Sequence, residues 1–319
     1  MWVDVAPHPA TYPVLDGQAD LIGPLVDRSE DPLHDIERAD AVLASGRFPG
    51  TAATFDRASR LRAVARFGAG YETIDLEAAT ARGICVMNTP DAPTIATAEF
   101  TIMLMIAVMR RLLPGIRALE AGGWPPLGDV LGHDLSGKTL GIIGLGRIGS
   151  RVARLATAFD MKVVAVDPFV TAERATAAGA TLLPALDQLL GIADIVSLHV
   201  PASAATHHLL DRAAIARLKP SAVVINVARG TVVDEVALAE ALRAGRIAGA
   251  AIDVWNPEPP APNHPLLGLP NVVATPHQAG LSNEGRERSN TEAARQALMV
   301  LRGERPPHLL NPEVWDRRR

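Results

Sequence analysis

The chain has 319 residues, of which 48% are hydrophobic and 21% charged, and its formal net charge is -4. This length allows two domains with buried cores, and the composition is typical of globular proteins. The only basic block is the short tail 317–319, so the charge pattern indicates neither a nucleic-acid nor a membrane partner. The longest apolar run, 100–109, is too short to span a bilayer, and no secretion signal precedes it. We therefore expect a cytoplasmic protein.

Short apolar runs alternate with helical patterns along the chain, which predicts an α/β fold with parallel sheets. In the first hundred residues, strands are predicted at 21–23, 41–44, 61–66 and 84–87. A long helix over 97–113 and a Gly- and Pro-rich loop over 122–135 follow. The later strands are predicted at 140–143, 162–166, 181–183, 195–200, 222–227, 250–254 and 272–275. The later helices are predicted at 151–159, 171–178, 185–190, 213–218, 235–244 and 283–301.

A glycine run, Gly144-Leu-Gly146-Arg-Ile-Gly149, lies between a predicted strand and a predicted helix. Glycines at this spacing let the backbone approach a diphosphate, with the helix N-terminus facing its negative charge. Asp167 ends the next strand, about 20 residues further on, where a carboxylate can accept both hydroxyls of a ribose. The alternative is a tightly packed helix-capping turn. The context favours a dinucleotide site, and because no arginine directly follows Asp167 to neutralise a 2′-phosphate, we expect NAD rather than NADP.

The position of the glycine run predicts the domain organisation. A whole α/β region precedes it, and a long helix follows the sheet that it begins. We expect a Rossmann dinucleotide-binding domain over 101–287, inserted in a smaller α/β substrate domain formed by 1–100 and 288–319. Two domains with a cleft between them suit an enzyme that closes on its substrate.

Four polar residues follow later strands of the predicted sheet: Arg229, Asp253, Glu258 and His277. Each could be a solvated loop residue, but doubly wound sheets bind ligands at the carboxyl ends of their strands. Hydride exchange between a nicotinamide and a carbonyl requires a proton to reach or leave the oxygen. An imidazole beside a carboxylate suits that proton, and a guanidinium matches a carboxylate group of a 2-oxo acid. We expect His277 and Glu258 to pair and Arg229 to hold the substrate.

At these residues the sequence resembles the D-2-hydroxyacid dehydrogenase family over nearly the whole chain, with similarity to its phosphoglycerate dehydrogenase and glyoxylate/hydroxypyruvate reductase branches. The resemblance implies a flavodoxin-like substrate domain, a homodimer, and an oxidoreductase that interconverts a small 2-oxo acid and a D-2-hydroxy acid with NAD. The motifs that carry it are Gly-Leu-Gly-Arg-Ile-Gly at 144–149, Asn-Val-Ala-Arg-Gly at 226–230, Asp-Val-Trp-Asn-Pro-Glu-Pro at 253–259, Thr-Pro-His at 275–277, Phe-Gly-Ala-Gly-Tyr at 67–71 and Asn-Thr-Pro at 88–90.

The resemblance also implies roles for single residues. Arg229 would be the substrate clamp, Glu258 the partner and His277 the acid/base, while backbone amides around Ala69 and Gly70 would hold the substrate carboxylate across the cleft. No metal site is expected. The cofactor-binding residues that it implies are Thr97, Gly144, Gly146, Arg147, Ile148, Gly149, Asp167, His199, Pro201, Val227, Ala228, Asp253, His277 and Gly280.

Several alternatives stay open at this level. An NAD(H)-sensing interaction protein, like the corepressors similar to this family, can keep the same three residues, although the absence of a long polar tail favours the enzyme. Oxidation of another hydride donor such as phosphite is also open, whereas formate is disfavoured because position 258 is Glu rather than Gln. Gln278 could bind a ligand or be structural. Arg47 and Arg66 could meet a substrate phosphate or be solvated. We expect no feedback domain after residue 319.

Overall fold

The computed structural model describes residues 1–23 and 31–319. Its strands are β1 Trp2–Val3, β2 Ala41–Ala44, β3 Ala63–Arg66, β4 Cys85–Met87, β5 Thr139–Ile143, β6 Lys162–Val166, β7 Thr181–Leu182, β8 Ile195–Leu198, β9 Val223–Asn226, β10 Gly249–Ile252 and β11 Val272–Ala274. Its α-helices are α1 Tyr12–Leu15, α2 Ala52–Arg57, α3 Leu76–Ala81, α4 Thr94–Met109, α5 Leu112–Glu120, α6 Leu127–Val130, α7 Arg147–Thr157, α8 Ala172–Ala177, α9 Leu186–Ile192, α10 Arg212–Ile215, α11 Glu235–Arg243 and α12 Asn283–Leu301.

The described residues form two compact units. The first comprises Met1–Pro93 and Leu281–Arg319, and the second comprises Thr94–Gly280. The predicted boundaries were 100/101 and 287/288, so each change of unit in the structure comes a few residues earlier in the chain. Among the described residues, no helix is long and apolar enough to cross a membrane.

The second unit contains a seven-stranded parallel sheet in the order β11-β10-β9-β8-β5-β6-β7. Numbered from β5, this is the Rossmann order 3-2-1-4-5-6 with one further strand at the β11 edge. The strand order reverses between β5 and β8, where such sheets bind dinucleotides. The predicted Rossmann fold is confirmed.

Both faces of this sheet are buried. Successive residues of a strand point to opposite faces. Accordingly, Val224 of β9 packs in one apolar cluster with α9, α10 and α11, while the next residue, Ile225, packs in another with α4, α7 and α8. Burial on both sides explains why the central strands read as continuous apolar runs rather than alternating ones.

The first unit contains a parallel sheet in the order β1-β2-β3-β4. Ile22 adds a single bridge to Trp2 at the outer edge, which gives the flavodoxin-like order 2-1-3-4-5 when it is counted as a strand. Helix α12 shares an apolar cluster with one face of the sheet, and Phe55 of α2 and Ala79 of α3 belong to the cluster on the other. The predicted flavodoxin-like unit is therefore confirmed.

Some predicted elements were wrong in detail. The strand predicted at 21–23 is only the bridge at Ile22, and the two-residue β1 at the N-terminus was missed because so short a run carries no pattern. The helix predicted over 97–113 covers α4 and only the first two residues of α5, since Arg111 has a φ of 49° and separates the two helices. The rest of α5 was not predicted. The predicted loop 122–135 contains α6.

Candidate active site

Glycine is needed for a different structural reason at each of three positions in the turn after β5. Gly144 has a φ of 92°, and a Cβ there would lie 2.8 Å from the carbonyl oxygen of His199. A Cβ on Gly149 would lie 2.1 Å from the carbonyl oxygen of Gly144, so the helix packs against the turn only without a side chain. Gly146, by contrast, is exposed and faces open space. It leaves room for a ligand at the N-terminus of α7, where no side chain caps the helix.

Asp167 follows β6, the strand next to β5, and it is tied to the glycine turn. Its Oδ2 accepts a hydrogen bond from the Leu145 amide at 2.8 Å, and its Oδ1 accepts one from the Phe169 amide at 2.8 Å. A carboxylate oxygen can accept a second hydrogen bond, so both remain competent to bind hydroxyls. The predicted ribose contact thus lies at the edge of the sheet that carries the diphosphate site.

His199 and Pro201 follow β8, on the other side of β5. The His199 Nε2 lies 2.9 Å from the Ser197 hydroxyl, and its amide donates to the Ile143 carbonyl. Burial lowers the pKa of His199 to about 3, so the ring is neutral. His199 therefore contributes no charge to the adenine side of the predicted cofactor site.

The loop after β9 presents Arg229. The Asn226 side chain accepts a hydrogen bond from the Ala228 amide at 3.1 Å and donates one to the Arg229 carbonyl at 3.0 Å, which fixes the turn. A Cβ on Gly230 would lie 2.2 Å from the carbonyl carbon of Trp255, so glycine lets this loop contact the neighbouring one. The Arg229 guanidinium also donates to the Ala228 carbonyl at 2.6 Å.

Asp253 follows β10, is fully buried, and organises the loop after β11. Its Oδ1 accepts hydrogen bonds from the Thr275 hydroxyl at 2.6 Å and the Gln278 amide at 2.9 Å, and its Oδ2 accepts one from the Ala279 amide at 2.9 Å. Its carbonyl accepts a hydrogen bond from the His277 amide at 2.7 Å. His277 has a φ of 53°, a conformation that a non-glycine residue adopts only when its surroundings impose it.

The predicted pairing of Glu258 with His277 is present. The Glu258 Oε2 lies 2.8 Å from the His277 Nδ1, and its Oε1 accepts a hydrogen bond from the Trp255 amide at 2.9 Å. Both side chains are partly exposed, so Nε2, the other ring nitrogen, is the one available to a ligand. The peptide bonds before Pro257 and Pro259 in this loop are both cis.

The pairing shifts the pKa values of His277 and Glu258 in opposite directions. The hydrogen bond to Glu258 raises the pKa of His277, against burial and the positive charge of Arg229. Burial alone would raise the pKa of Glu258, but its hydrogen bonds with His277 and the Trp255 amide outweigh this and lower it. The Arg229 charge acts on both groups, so the structure brings the three predicted residues together within one unit.

Ala69 and Gly70 lie in the other unit, after β3. The Ala69 carbonyl accepts a hydrogen bond from the Asn88 amide group at 2.7 Å, and the Gly70 carbonyl accepts one from the Arg66 Nε at 3.0 Å. Within the described chain, the backbone amides of Ala69 and Gly70 donate to no protein acceptor. Arg66 is buried rather than solvated, and it supports this loop, whereas Arg47 is exposed.

The remaining predicted residues are placed as follows. Thr97 is buried in α4, which packs on α7 and on β9, β10 and β11. Val227 and Ala228 are buried after β9, and Gly280 is half-buried at the end of its unit. Arg147 and Ile148 begin α7. No three His, Cys, Asp or Glu side chains among the residues 1–23 and 31–319 are placed to hold a metal ion.

Sequence reasoning missed the residues that support the site. The Asn226 side chain binds backbone, Gly230 accommodates it, and the Thr275 hydroxyl donates to the Asp253 side chain. Asp253 itself binds backbone amides in addition to its predicted cofactor contact. The Asn-x-x-Arg-Gly order after a strand was a usable signal, since Asn is favoured where a side chain bonds to backbone two residues on. Nothing in the sequence indicated that Thr275 contacts Asp253.

Residues 102–279 match the family described as D-isomer specific 2-hydroxyacid dehydrogenase, NAD binding domain. The chain is 41% identical over 283 residues to a glyoxylate reductase of Korarchaeum cryptofilum, a match that covers 88% of this chain and 85% of the relative. This chain belongs to the D-isomer specific 2-hydroxyacid dehydrogenase family. The family supports an NAD-dependent oxidoreductase, and the predicted family and cofactor are confirmed.

A second relative, a D-3-phosphoglycerate dehydrogenase of Methanocaldococcus jannaschii, is 41% identical over 282 residues, which are 88% of this chain and 53% of the relative. The chain thus spans about half the length of that relative. Among solved structures, D-lactate dehydrogenase from Aquifex aeolicus complexed with NAD and lactic acid superposes with a TM-score of 0.83 at 28% identity, covering 99% of this chain and 97% of that one.

The contact at Gly230 generates a prediction. Gly230→Ala places a methyl group against the Trp255 backbone and must separate the Arg229 loop from the loop that carries Glu258. We expect a loss of stability of about 1–3 kcal/mol and a fall in kcat/KM, measured by thermal unfolding and NADH oxidation. Gly191→Ala, in α9 with open space around its Cβ, is the matched control and should leave activity unchanged. Equal behaviour of the two variants would contradict the proposed packing.

Proposed function

We propose that this protein reduces a small 2-oxo acid to a D-2-hydroxy acid with NADH, and catalyses the reverse reaction. The observation that carries the proposal is the 2.8 Å contact between Glu258 and His277, beside Arg229, at the carboxyl edge of a Rossmann sheet. Family membership supports the reaction class. The roles of single residues are our assignment.

The cofactor fits the residues present. The open approach at Gly146 and the uncapped N-terminus of α7 suit a diphosphate, and Asp167 suits the adenosine ribose. A carboxylate at this position repels a 2′-phosphate, which supports NAD over NADP. We assign the nicotinamide half to the edge formed by the ends of β9, β10 and β11, where Ala228 and Asp253 lie. When bound, the nicotinamide supplies or accepts the hydride.

The substrate carboxylate requires donors. The Arg229 guanidinium offers several in a planar fork, and it can also polarise the carbonyl that is reduced. In the other unit, we assign the backbone amides of Ala69 and Gly70 to a carboxylate, because they donate to no acceptor among the described residues. This division leaves His277 to act on the carbonyl oxygen.

His277 is suited to supply the proton. Glu258 accepts from Nδ1, which orients the ring so that a proton on Nε2 can be donated to the substrate oxygen. Because the pair raises the pKa of His277, the protonated form persists to a higher pH than for a free histidine. In the oxidative direction, neutral His277 accepts the hydroxyl proton at the same nitrogen.

A second copy of the chain is the partner that we propose. None of the α5 residues is buried, and Leu112, Ile116 and Leu119 on this helix are exposed. Trp124, Leu127 and Leu131 extend the apolar surface, with Trp124 88% exposed. Exposed apolar side chains concentrated in one segment, 112–131, are typical of an interaction site, and the resemblance to dimeric enzymes favours a homodimer.

Steady-state NADH oxidation with glyoxylate, hydroxypyruvate and phosphohydroxypyruvate tests the function. We predict that His277→Ala and Arg229→Ala each lower kcat/KM on the best acid by about 100-fold or more, because a general acid or a charged clamp is lost. His34→Ala and Arg217→Ala, at exposed positions, are the controls. Tight NADH binding without turnover of any acid would instead support a sensor protein.

The pair also predicts a pH profile. Reduction requires protonated His277, so its kcat/KM should fall as pH rises through the raised pKa of His277. Glu258→Gln removes the charge that raises this pKa, and the fall should begin at lower pH. Glu304→Gln, at an exposed position, should retain the native profile. Superimposable profiles for Glu258→Gln and the native enzyme would show that Glu258 does not act on the titrating group.

The position of Asp167 predicts that its side chain contributes to the affinity for NADH. Asp167→Ala removes the ribose acceptor, so we expect the Kd of NADH to rise about 10-fold or more, as for loss of hydrogen bonds to a charged group. Fluorescence titration measures this Kd, with Asp187→Ala, at an exposed position of α9, as the control. The assignment fails if the Kd for NADH stays at the native value.

A further inference from the structure

A second histidine–carboxylate pair lies buried in the same unit as the first. Glu235 is the first residue of α11, and His264 lies in the proline-rich loop after β10. The His264 Nε2 is 3.2 Å from the Glu235 Oε2, and both side chains are 9% exposed. The Leu266 amide donates to the His264 Nδ1 at 3.4 Å, so Nε2 carries the ring proton and donates to Glu235.

Burying the ionisable side chains of Glu235 and His264 costs free energy of folding. Burial raises the pKa of Glu235 to about 7, the charge of Glu258 adds to the rise, and the Asn256 amide opposes it. Burial also lowers the pKa of His264. The Glu235 Oε1 has no well-formed hydrogen bond to any described residue. Two apolar side chains would avoid these costs.

Trp255 connects this pair to the catalytic one. Its indole ring meets the His264 ring at 5.2 Å with an interplanar angle of 85°. Its backbone amide donates to the Glu258 Oε1 at 2.9 Å, and its indole Nε1 donates to the Thr275 carbonyl at 2.9 Å. Trp255 therefore contacts both the loop of Glu258 and the loop of His277, and His264 packs on its ring.

We propose that Glu235 and His264 are positioning residues that act through Trp255 to hold Glu258 against His277. The inference rests on the proposed role of His277 as acid/base. Glu235 holds the proton of the His264 Nε2, which fixes the ring, and the ring fixes the indole between the two loops. Neither residue touches substrate or cofactor.

Charged groups surround both histidine–carboxylate pairs, and they determine which variants are informative. The charge of Glu258 acts on Glu235, and His264 contacts Glu235 directly. Glu258, Arg229 and Asp253 act on His277. Below about pH 7, Glu235 is protonated, so Gln is a close mimic that keeps the acceptor oxygen. Ala removes the acceptor and leaves His264 without its partner.

The test is an NMR titration of His277 in the histidine-labelled, substrate-free protein, with its signal assigned by its loss in His277→Ala. In Glu235→Ala, loosened contact with Glu258 should lower the midpoint of His277 by about half a pH unit or more. Glu235→Gln should restore the native midpoint. Glu240→Ala, on the exposed side of the same helix, should not move it. The Kd of NADH should stay within about twofold, since no cofactor contact is lost.

Each outcome bears on the proposal. A native midpoint in folded Glu235→Ala, or a lowered midpoint that Glu235→Gln fails to restore, would overturn it. If Glu235→Ala does not fold, Trp255→Phe keeps an aromatic ring, removes the indole donor, and must lower the midpoint in the same direction. Absence of turnover in the native protein would remove the proposed function, but the titration would still report whether Glu235 positions Glu258.

Discussion

The candidate active site of this protein depends on one buried side chain, that of Asp253. Its two oxygens and its carbonyl together accept four hydrogen bonds from residues 275–279. A hydrogen bond contributes a net of about 0.5–1.5 kcal/mol, so the four together offset the strain of about 1–3 kcal/mol that the left-handed conformation of His277 costs. They fix the backbone from which the His277 ring reaches Glu258, and the proposed proton transfer depends on that pairing.

The order of the strands determines where each predicted site residue lies along the edge of the sheet. Asp167 follows β6 and the glycine turn follows β5, on one side of the reversal point, whereas Arg229, Asp253 and His277 follow β9, β10 and β11 on the other. An extended dinucleotide across this edge would have its ribose and diphosphate contacts at one end and the proposed acid/base pair at the other. Glycine at 230 then brings two neighbouring loops close enough for Arg229 to act on the charges of Glu258 and His277.

Local patterns predicted much of this arrangement, because strand ends and glycine turns can be recognised from residues that are adjacent in the sequence. The turn at 144–149, the strand end at Asp167 and the pairing of Glu258 with His277 were all predicted. Contacts that depend on three-dimensional packing were not. Three such contacts involve residues far apart in sequence. They are the hydrogen bond between Thr275 and Asp253, the close approach of Gly230 to Trp255, and the contact between Glu235 and His264. The break at Arg111 was missed because apolar residues continue directly after it at Leu112 and Leu113, and nothing in the sequence marks the positive φ of Arg111.

The most direct test follows the hydride itself. With NADH that carries deuterium at both C4 positions of the nicotinamide, the native protein and a 2-oxo acid such as hydroxypyruvate should give a D-2-hydroxy acid that carries deuterium at C2, detected by mass spectrometry and chiral chromatography. His277→Ala should form this product far more slowly while it still binds NADH. A product without deuterium, a product of L configuration, or equal rates for the native protein and the His277→Ala variant would contradict the account.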